Sequence, residues 1–311
     1  MSATTPLTRP LRLGTRSSPL AMAQAHMAAD ALRAAHGWAA DAIEIVPVVA
    51  SGDKVLNRPL AEIGGKALWT KELDHWLVDG EIDFAVHSMK DVETLRPAVL
   101  TIAAMLPRAD IRDRLVGADS LSAIKTGGVV GTSSPRRAAQ IKRIRPDLST
   151  TLFRGNVQTR LAKLDAGEVD ATLLAAAGLN RLDMGSVGHA IETSEMLPAP
   201  AQGAIGIECL TDRADVRALL AAINHRDTYD CVMAERSVLR ALGGTCHSPI
   251  AASAQVEGNG LFLRAEILLS DGSEQHGEAI HVARDDVAAM EALGHRLLAQ
   301  ASPALRALFG A

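Results

Sequence analysis

Val129-Val-Gly-Thr-Ser-Ser-Pro-Arg-Arg137, a run to Arg145, and then Thr150-Thr-Leu-Phe-Arg-Gly-Asn-Val-Gln-Thr-Arg160 decide how this chain is read. In the first half a short apolar run stops at Gly131 and hydroxyls follow at Thr132, Ser133 and Ser134. Pro135 then occupies the place a helix gives to its first residue, so the pattern predicts strand, turn and helix N-terminus. The second half repeats the grammar: Leu152 and Phe153 end a strand, Arg154-Gly155 turns, and Asn156 caps a helix whose apolar stripe is Val157, Leu161 and Leu164. Each helix mouth offers free backbone N–H groups and a positive dipole end. Arginines join them, Arg136 and Arg137 at one and Arg154 and Arg160 at the other. Such a pair of mouths suits a ligand bearing several carboxylates or phosphates.

A helix-flanking arginine is ordinarily solvated surface. Here the chain is acidic overall, with 32 Lys+Arg against 36 Asp+Glu, so a dense basic patch stands out from the background. No Gly-Lys-Ser/Thr follows the glycine and no Gly-x-Gly-x-x-Gly occurs, which excludes the two common phosphate-loop signatures. Aromatic residues make up 3% of the chain and no basic helix-turn-helix is evident, so nucleic acid is not an expected partner. Neither is a membrane: the polar start from Met1 to Pro10 precedes no signal-like apolar run, and a cytoplasmic protein is expected. With 311 residues and 48% hydrophobic content, two or three domains with ample core are expected.

From the start of the chain, Leu11-Arg-Leu-Gly-Thr-Arg16-Ser-Ser18-Pro-Leu-Ala21 gives a third mouth of the same kind, with Arg16 and Ser18 at the opening of a helix running to about His36. A strand follows over Ile43 to Val49. The segment from Asp53 to Thr70 has a paired glycine and weak periodicity, and a mobile loop carrying Lys66 over the site is expected. A helix is expected from about Lys71 to Gly80, then a buried strand over Phe84 to Val86. At the C-terminal end of that strand, where ligands bind in open α/β sheets, come His87, Ser88, Lys90 and Asp91. His87 reads as a structural histidine, since nothing near it in sequence would orient it as a base. Spacing leaves Asp91 two roles, turn cap or catalytic carboxylate.

The charged, proline-bearing stretch Leu106 to Arg114 reads as a crossing into a second α/β lobe, which continues through a strand at Ala171 to Ala175 and a turn at Gly178-Leu-Asn-Arg181. The proline-rich stretch from Leu197, containing Gln202, reads as the crossing back, and two crossings make a hinge. After about Asn224 the pattern changes to a helix over Thr228 to Leu242 and three alternating runs, Ile250 to Gln255, Leu261 to Leu269 and Gly277 to Val282. Asp271-Gly272 supplies a hairpin turn and a last helix spans Asp286 to Ala301, an α+β domain. The expected division is 1–105 with 199–223, then 106–198, then 224–311. Of the three cysteines, Cys209 in a strand and Cys231 in a helix read as small core hydrophobes. No Cys-x-x-Cys occurs, so neither a disulfide framework nor a metal site is expected. Cys246 follows Gly243-Gly244 on a loop and is the thiol placed for covalent work.

On these motifs the chain resembles the porphobilinogen deaminase (hydroxymethylbilane synthase) family from about Leu11 to the C-terminus. The resemblance rests on Gly-Thr-Arg-Ser-Ser-Pro-Leu-Ala, Gly-Gly-Lys-Ala-Leu-Trp, His-Ser-Met-Lys-Asp, Gly-Thr-Ser-Ser-Pro-Arg-Arg, Arg-Gly-Asn-Val-Gln-Thr-Arg, Ala-Gln-Gly-Ala-Ile-Gly-Ile-Glu-Cys and Gly-Gly-Thr-Cys, in that order. It implies two hinged periplasmic-binding-protein-like lobes, a C-terminal α+β domain, and a dipyrromethane cofactor held by a thioether to Cys246. It implies that Ser88, Lys90, Asp91, Thr132, Ser134, Arg136, Arg137, Arg154 and Gly155 hold the cofactor. For the substrate it implies Arg16, Ser18, Lys66, Arg154, Arg160, Arg181 and Gln202. Porphobilinogen bears an acetate and a propionate, so a growing chain of pyrroles calls for many fixed cations. Loss of ammonia leaves an electron-poor methylene pyrrolenine, and the family places at Asp91 the carboxylate that stabilises the developing positive charge. After four additions water releases the linear tetrapyrrole. A monomer is expected.

Pro135 and Trp69 depart from the commonest family pattern, yet Pro135 suits a first helical position and Trp69 keeps an aromatic on its loop. The role of His247 is open. The competing class is a two-lobed small-anion binding protein without catalysis, which would have no use for an exposed Cys246.

Overall fold

The computed structural model describes residue 7, residues 9–48, 68–245 and 248–310. The chain divides into two compact units, 1–108 with 204–229 and 109–203 with 230–311.

In the first unit, β1 (Leu11–Arg16), β2 (Ile43–Val48), β3 (Phe84–Ser88), β4 (Leu100–Met105) and β10 (Ile205–Leu210) form one sheet in the order β2-β1-β3-β10-β4. β1 runs parallel to β2 and β3, whereas β10, arriving after the second crossing, runs antiparallel to β3 and β4. Helix α1 (Pro19–His36) packs through Ala25, Ala28, Ala29 and Leu32, all fully buried at the i, i+3, i+4, i+7 spacing of a helix face. Three alanines in that stripe let the helix lie close on Leu13 and Phe84 of the sheet. Helix α2 (Leu68–Val78) buries Leu73 and Leu77 with Ile82 and Ala85, starting earlier and ending earlier than the expected Lys71 to Gly80. β3 extends two residues past the expected Val86, because Gly206 and Ile205 of β10 pair with His87 and Ser88. Those partners lie more than a hundred residues away in sequence, beyond the reach of a local pattern.

The second unit has two sheets. β5 (Asp113–Val116), β6 (Val129–Gly131), β7 (Ser149–Thr151), β8 (Ala171–Ala175) and β9 (His189–Ile191) are ordered β7-β6-β8-β5-β9, with α3 (Pro135–Ile144) and α4 (Val157–Asp165) following β6 and β7. Two expectations are corrected here. β7 ends at Thr151 rather than Phe153, because the Phe153 carbonyl accepts the Ser133 hydroxyl at 2.6 Å and leaves the ladder. The expected turn at Gly178 is a short helix, α5 (Ala176–Asn180), whose first four residues are all buried.

The other sheet of this unit is antiparallel, β11 (Ile250–Glu257), β12 (Gly260–Leu268) and β13 (Gln275–Ala283) in that order. Its core is shared by α6 (Arg226–Ala241) and α7 (Val287–Gln300) through Val238, Leu242, Leu263, Leu293 and Leu297. Cys231 packs in this core and Cys209 is fully buried on β10, as their sequence settings predict. α3 is tied to the antiparallel sheet where Gln140 Nε2 donates to Glu266 Oε1 at 2.6 Å. The architecture is therefore α/β, with a five-stranded mixed sheet in each unit and a three-stranded antiparallel sheet with its helices, an α+β arrangement, toward the C-terminus. Among the described residues no helix is long and apolar enough to cross a membrane.

Candidate active site

In the first unit the site forms where β1 and β3 end. Ser18 caps α1, its hydroxyl accepting from Ala21 N at 3.3 Å, and Pro19 is the first helical residue. This mouth and the end of β3 line an open cleft formed by Arg16, Ser18, Gln24, Thr70, His87, Ser88 and Asp91 among others. Ser88 is fixed by Gln24, whose Nε2 donates to its hydroxyl at 2.9 Å. Gln24 is 2% exposed and was not singled out from the sequence. Its position on the inner face of α1, six residues after Ser18, is a signal that a helical wheel drawn from the cap would have given.

Asp91 closes a single 3-10 turn, Met89–Asp91, with Lys90 beside it. Its side chain is exposed and makes no hydrogen bond or ion pair with any described residue. The role of turn cap therefore has no support from the geometry. His87 is structural, as read: 7% exposed, its Nε2 lies 3.2 Å from Glu208 Oε2.

In the second unit both predicted mouths are present. Ser134 caps α3 by accepting from Arg137 N at 3.4 Å, and Thr132 Oγ1 accepts from Ser134 N at 3.1 Å. Asn156 caps α4 by accepting from Thr159 N at 2.8 Å. Gly155 has φ of +126°, and a Cβ there would lie 2.7 Å from the Thr159 side chain, so the turn between the two mouths admits only glycine. Arg154 is half-buried. Arg160, whose Nε donates to the Gly155 carbonyl at 2.9 Å, is pushed down to about 10 by burial and by the like charges of Arg137 and Arg154. Three guanidiniums thus crowd one spot with no carboxylate among the described residues offsetting Arg160. Arg181, likewise pushed down to about 10 by burial, donates from Nη2 to the Gly203 carbonyl at 2.6 Å.

Arg136 and Arg137 are placed differently from the open cations expected at a helix mouth. Both are buried, and one carboxylate, Asp113 of β5, takes Arg136 Nη2 at 2.8 Å and Arg137 Nη2 at 2.7 Å. Arg136 also donates to Gln140 and to the Leu197 carbonyl, and Arg137 to the Leu173 carbonyl. Burial would raise the Asp113 carboxyl, but the two guanidiniums outweigh it and hold the group well below the usual carboxylate range. Gln202 joins the same network, its Nε2 donating to Asp113 Oδ1 at 2.8 Å and to the Ile111 carbonyl at 2.7 Å. Glu266, bonded by Gln140, also acts on Arg136, and Arg137 acts on Arg160 through charge. Asp113 was missed because its strand lies 23 residues before Arg136 and nothing local marks it.

Lys66, Cys246, His247 and residues 53–67 of the loop expected over the site lie outside the described residues, as does the Trp69 side chain, while residues 68–70, also expected in the loop, open α2. Of the other two thiols, Cys209 is pushed up to about 11 by burial, and both it and Cys231 are buried.

Residues 11–218 match the family described as porphobilinogen deaminase, dipyromethane cofactor binding domain, and residues 229–302 match porphobilinogen deaminase, C-terminal domain. A relative from Sphingopyxis alaskensis named porphobilinogen deaminase is 59% identical over 306 residues, 96% of each chain. One of the same name from Paracoccus denitrificans is 54% identical over 268 residues, 85% of this chain and 86% of its own. Among solved structures, the second substrate binding domain of a putative amino acid ABC transporter from Streptococcus pneumoniae is 13% identical, covering 76% of this chain and 95% of its own, with a TM-score of 0.41. The two matches, covering 11–218 and 229–302, and the identity over nearly the whole length make this chain a member of the porphobilinogen deaminase family.

Proposed function

We propose that the protein is a hydroxymethylbilane synthase, a transferase that joins four porphobilinogen molecules head to tail with loss of ammonia and releases the linear product by hydrolysis. The observation that carries this reading is the Asp91 carboxylate, exposed in a cleft beside Lys90 and Arg16 and held by no described residue. A carboxylate free of structural duty is available to meet positive charge that develops on a pyrrole ring.

The donor set fits a dipyrromethane, which carries several carboxylates. Arg137, Arg154 and Arg160 repel one another at the α3 and α4 mouths, and an anion there relieves that repulsion. Bound by a thioether to Cys246, the group supplies the free pyrrole carbon to which substrate is joined. Ser88, Lys90, Thr132, Ser134, Arg136, Arg137, Arg154 and Gly155 would hold it, with Arg136 contributing charge from behind. Arg16, Ser18, Lys66, Arg154, Arg160, Arg181 and Gln202 would hold the carboxylates of porphobilinogen. Asp91 would accept the pyrrole N–H groups and stabilise the cationic ring as ammonia departs. The division into 1–105 with 199–223, 106–198 and 224–311, each with its own sheet, belongs to this reading, as do a monomeric state and a cytoplasmic site of action.

The test is Asp91→Asn. Asparagine keeps size and an acceptor oxygen but lacks the charge that matters once the ring turns cationic. Cofactor content and substrate binding should be retained while single-turnover ammonia release falls on the order of 10²–10³-fold. A variant with intact cofactor and near wild-type release would place the catalytic carboxylate elsewhere.

A further inference from the structure

The segment presenting Lys90 and Asp91 runs from His87 to Arg96, and one buried carboxylate faces both of its ends, bonding the second. Glu208 on β10 is 0% exposed. It receives Arg96 as a two-pronged pair, Nε on Oε1 at 2.8 Å and Nη2 on Oε2 at 2.9 Å. The same Oε2 lies 3.2 Å from His87 Nε2. Arg96 is steadied in turn by Asp74 of α2 and by Glu93, 3.5 Å from its Nη1. The middle of the segment is held by β10 as well. Met89 N donates to the Ala204 carbonyl at 3.1 Å, and its buried side chain fills the room left by Gly206, where a Cβ would sit 2.0 Å from the sulfur.

We propose that Glu208 is a positioning residue for the Asp91 carboxylate, acting through its forked pair with Arg96 at one end of the segment, with His87 in contact at the other. A buried ion pair contributes little net stability over an apolar packing of the same volume. What it adds is direction, because a planar guanidinium forked onto a carboxylate fixes both partners. Asp91 has no bond of its own to a described residue, so its placement is that of its backbone, and the backbone is set by these grips. The inference rests on the catalytic role of Asp91 proposed above.

A double-mutant cycle on the full-length, cofactor-loaded protein tests it, with single-turnover ammonia release, KM and cofactor content as readouts. Glu208→Gln keeps the shape of the side chain and removes its charge, and Arg96→Lys keeps the charge and removes the fork, giving a second route if the first variant does not fold. Each should keep cofactor and hold KM within about threefold, while ammonia release falls about 10–100-fold, the cost of misplacing a reacting group by roughly 1 Å. Combined with Asp91→Asn, neither should lower the rate further, since residues acting as a unit are non-additive. Losses that multiply in the double variants, or wild-type release in the single ones, overturn the proposal and leave Asp91 in place. Wild-type release in Asp91→Asn alone removes the catalytic reading of Asp91 and this inference with it.

Discussion

Arg160 carries a penalty in the folded chain that a bound anion removes. Its guanidinium, pushed down to about 10 by burial and by Arg137 and Arg154, stays protonated at neutral pH. A base whose folded value lies below its unfolded one destabilises the fold while charged, and that cost fades only as pH rises above the folded value. Arg160→Gln should therefore raise the melting temperature of cofactor-free protein by about 2 °C, in line with roughly 2–4 °C per kcal/mol for chains of this size. It should lower cofactor loading or first substrate addition, read from intact mass. A lower melting temperature would mean that Arg160 is structural. The caps Ser18, Ser134 and Asn156 were legible because each bonds a backbone N–H three residues on. Asp113 and Glu208 were not, since their partners lie 23 and 112 residues away.

Strands and helix mouths place these groups, and two buried carboxylates tie the elements together. Asp113 joins β5 to α3, and removing it leaves two guanidiniums buried without their acid. Asp113→Ala should cost about 3–5 kcal/mol, measured by urea unfolding. A loss under 1 kcal/mol would contradict this account of the network. Glu208 joins β10 to β3 and to the loop before β4. Burial would raise its carboxyl, but His87 and Arg96 outweigh burial and hold it at about 2, against an ordinary 4.5. A carboxylate with a lowered folded value contributes stability above its unfolded value and loses it as pH falls toward the folded one. Melting temperature should accordingly fall between about pH 4.5 and 2 less steeply in Glu208→Gln than in the wild type, and equal slopes would contradict the pairing. Elements with strong local signals were read well, β8 and α3 among them. Phe153 left its strand and Gly178 entered a helix because a side-chain hydroxyl in one case and burial in the other outweighed local preference.

At the scale of the molecule, prolines and charges marked both crossings, and the change from α/β to antiparallel patterning marked the third sheet. The pairing of β10 into the sheet that holds β1 and β3 could be inferred only from the second crossing, not from any local period. The central claim is covalent: one thiol, Cys246, carries the primer on which product grows, while Cys209 and Cys231 are buried in their cores. Cys246→Ser should yield a folded protein without ammonia release, its circular dichroism unchanged. The direct measurement is the mass of the denatured wild-type protein followed by peptide mapping. The account predicts an adduct of two linked pyrrole units on the peptide containing Cys246. An unmodified mass, or the adduct on the peptide of Cys209 or Cys231, would contradict it.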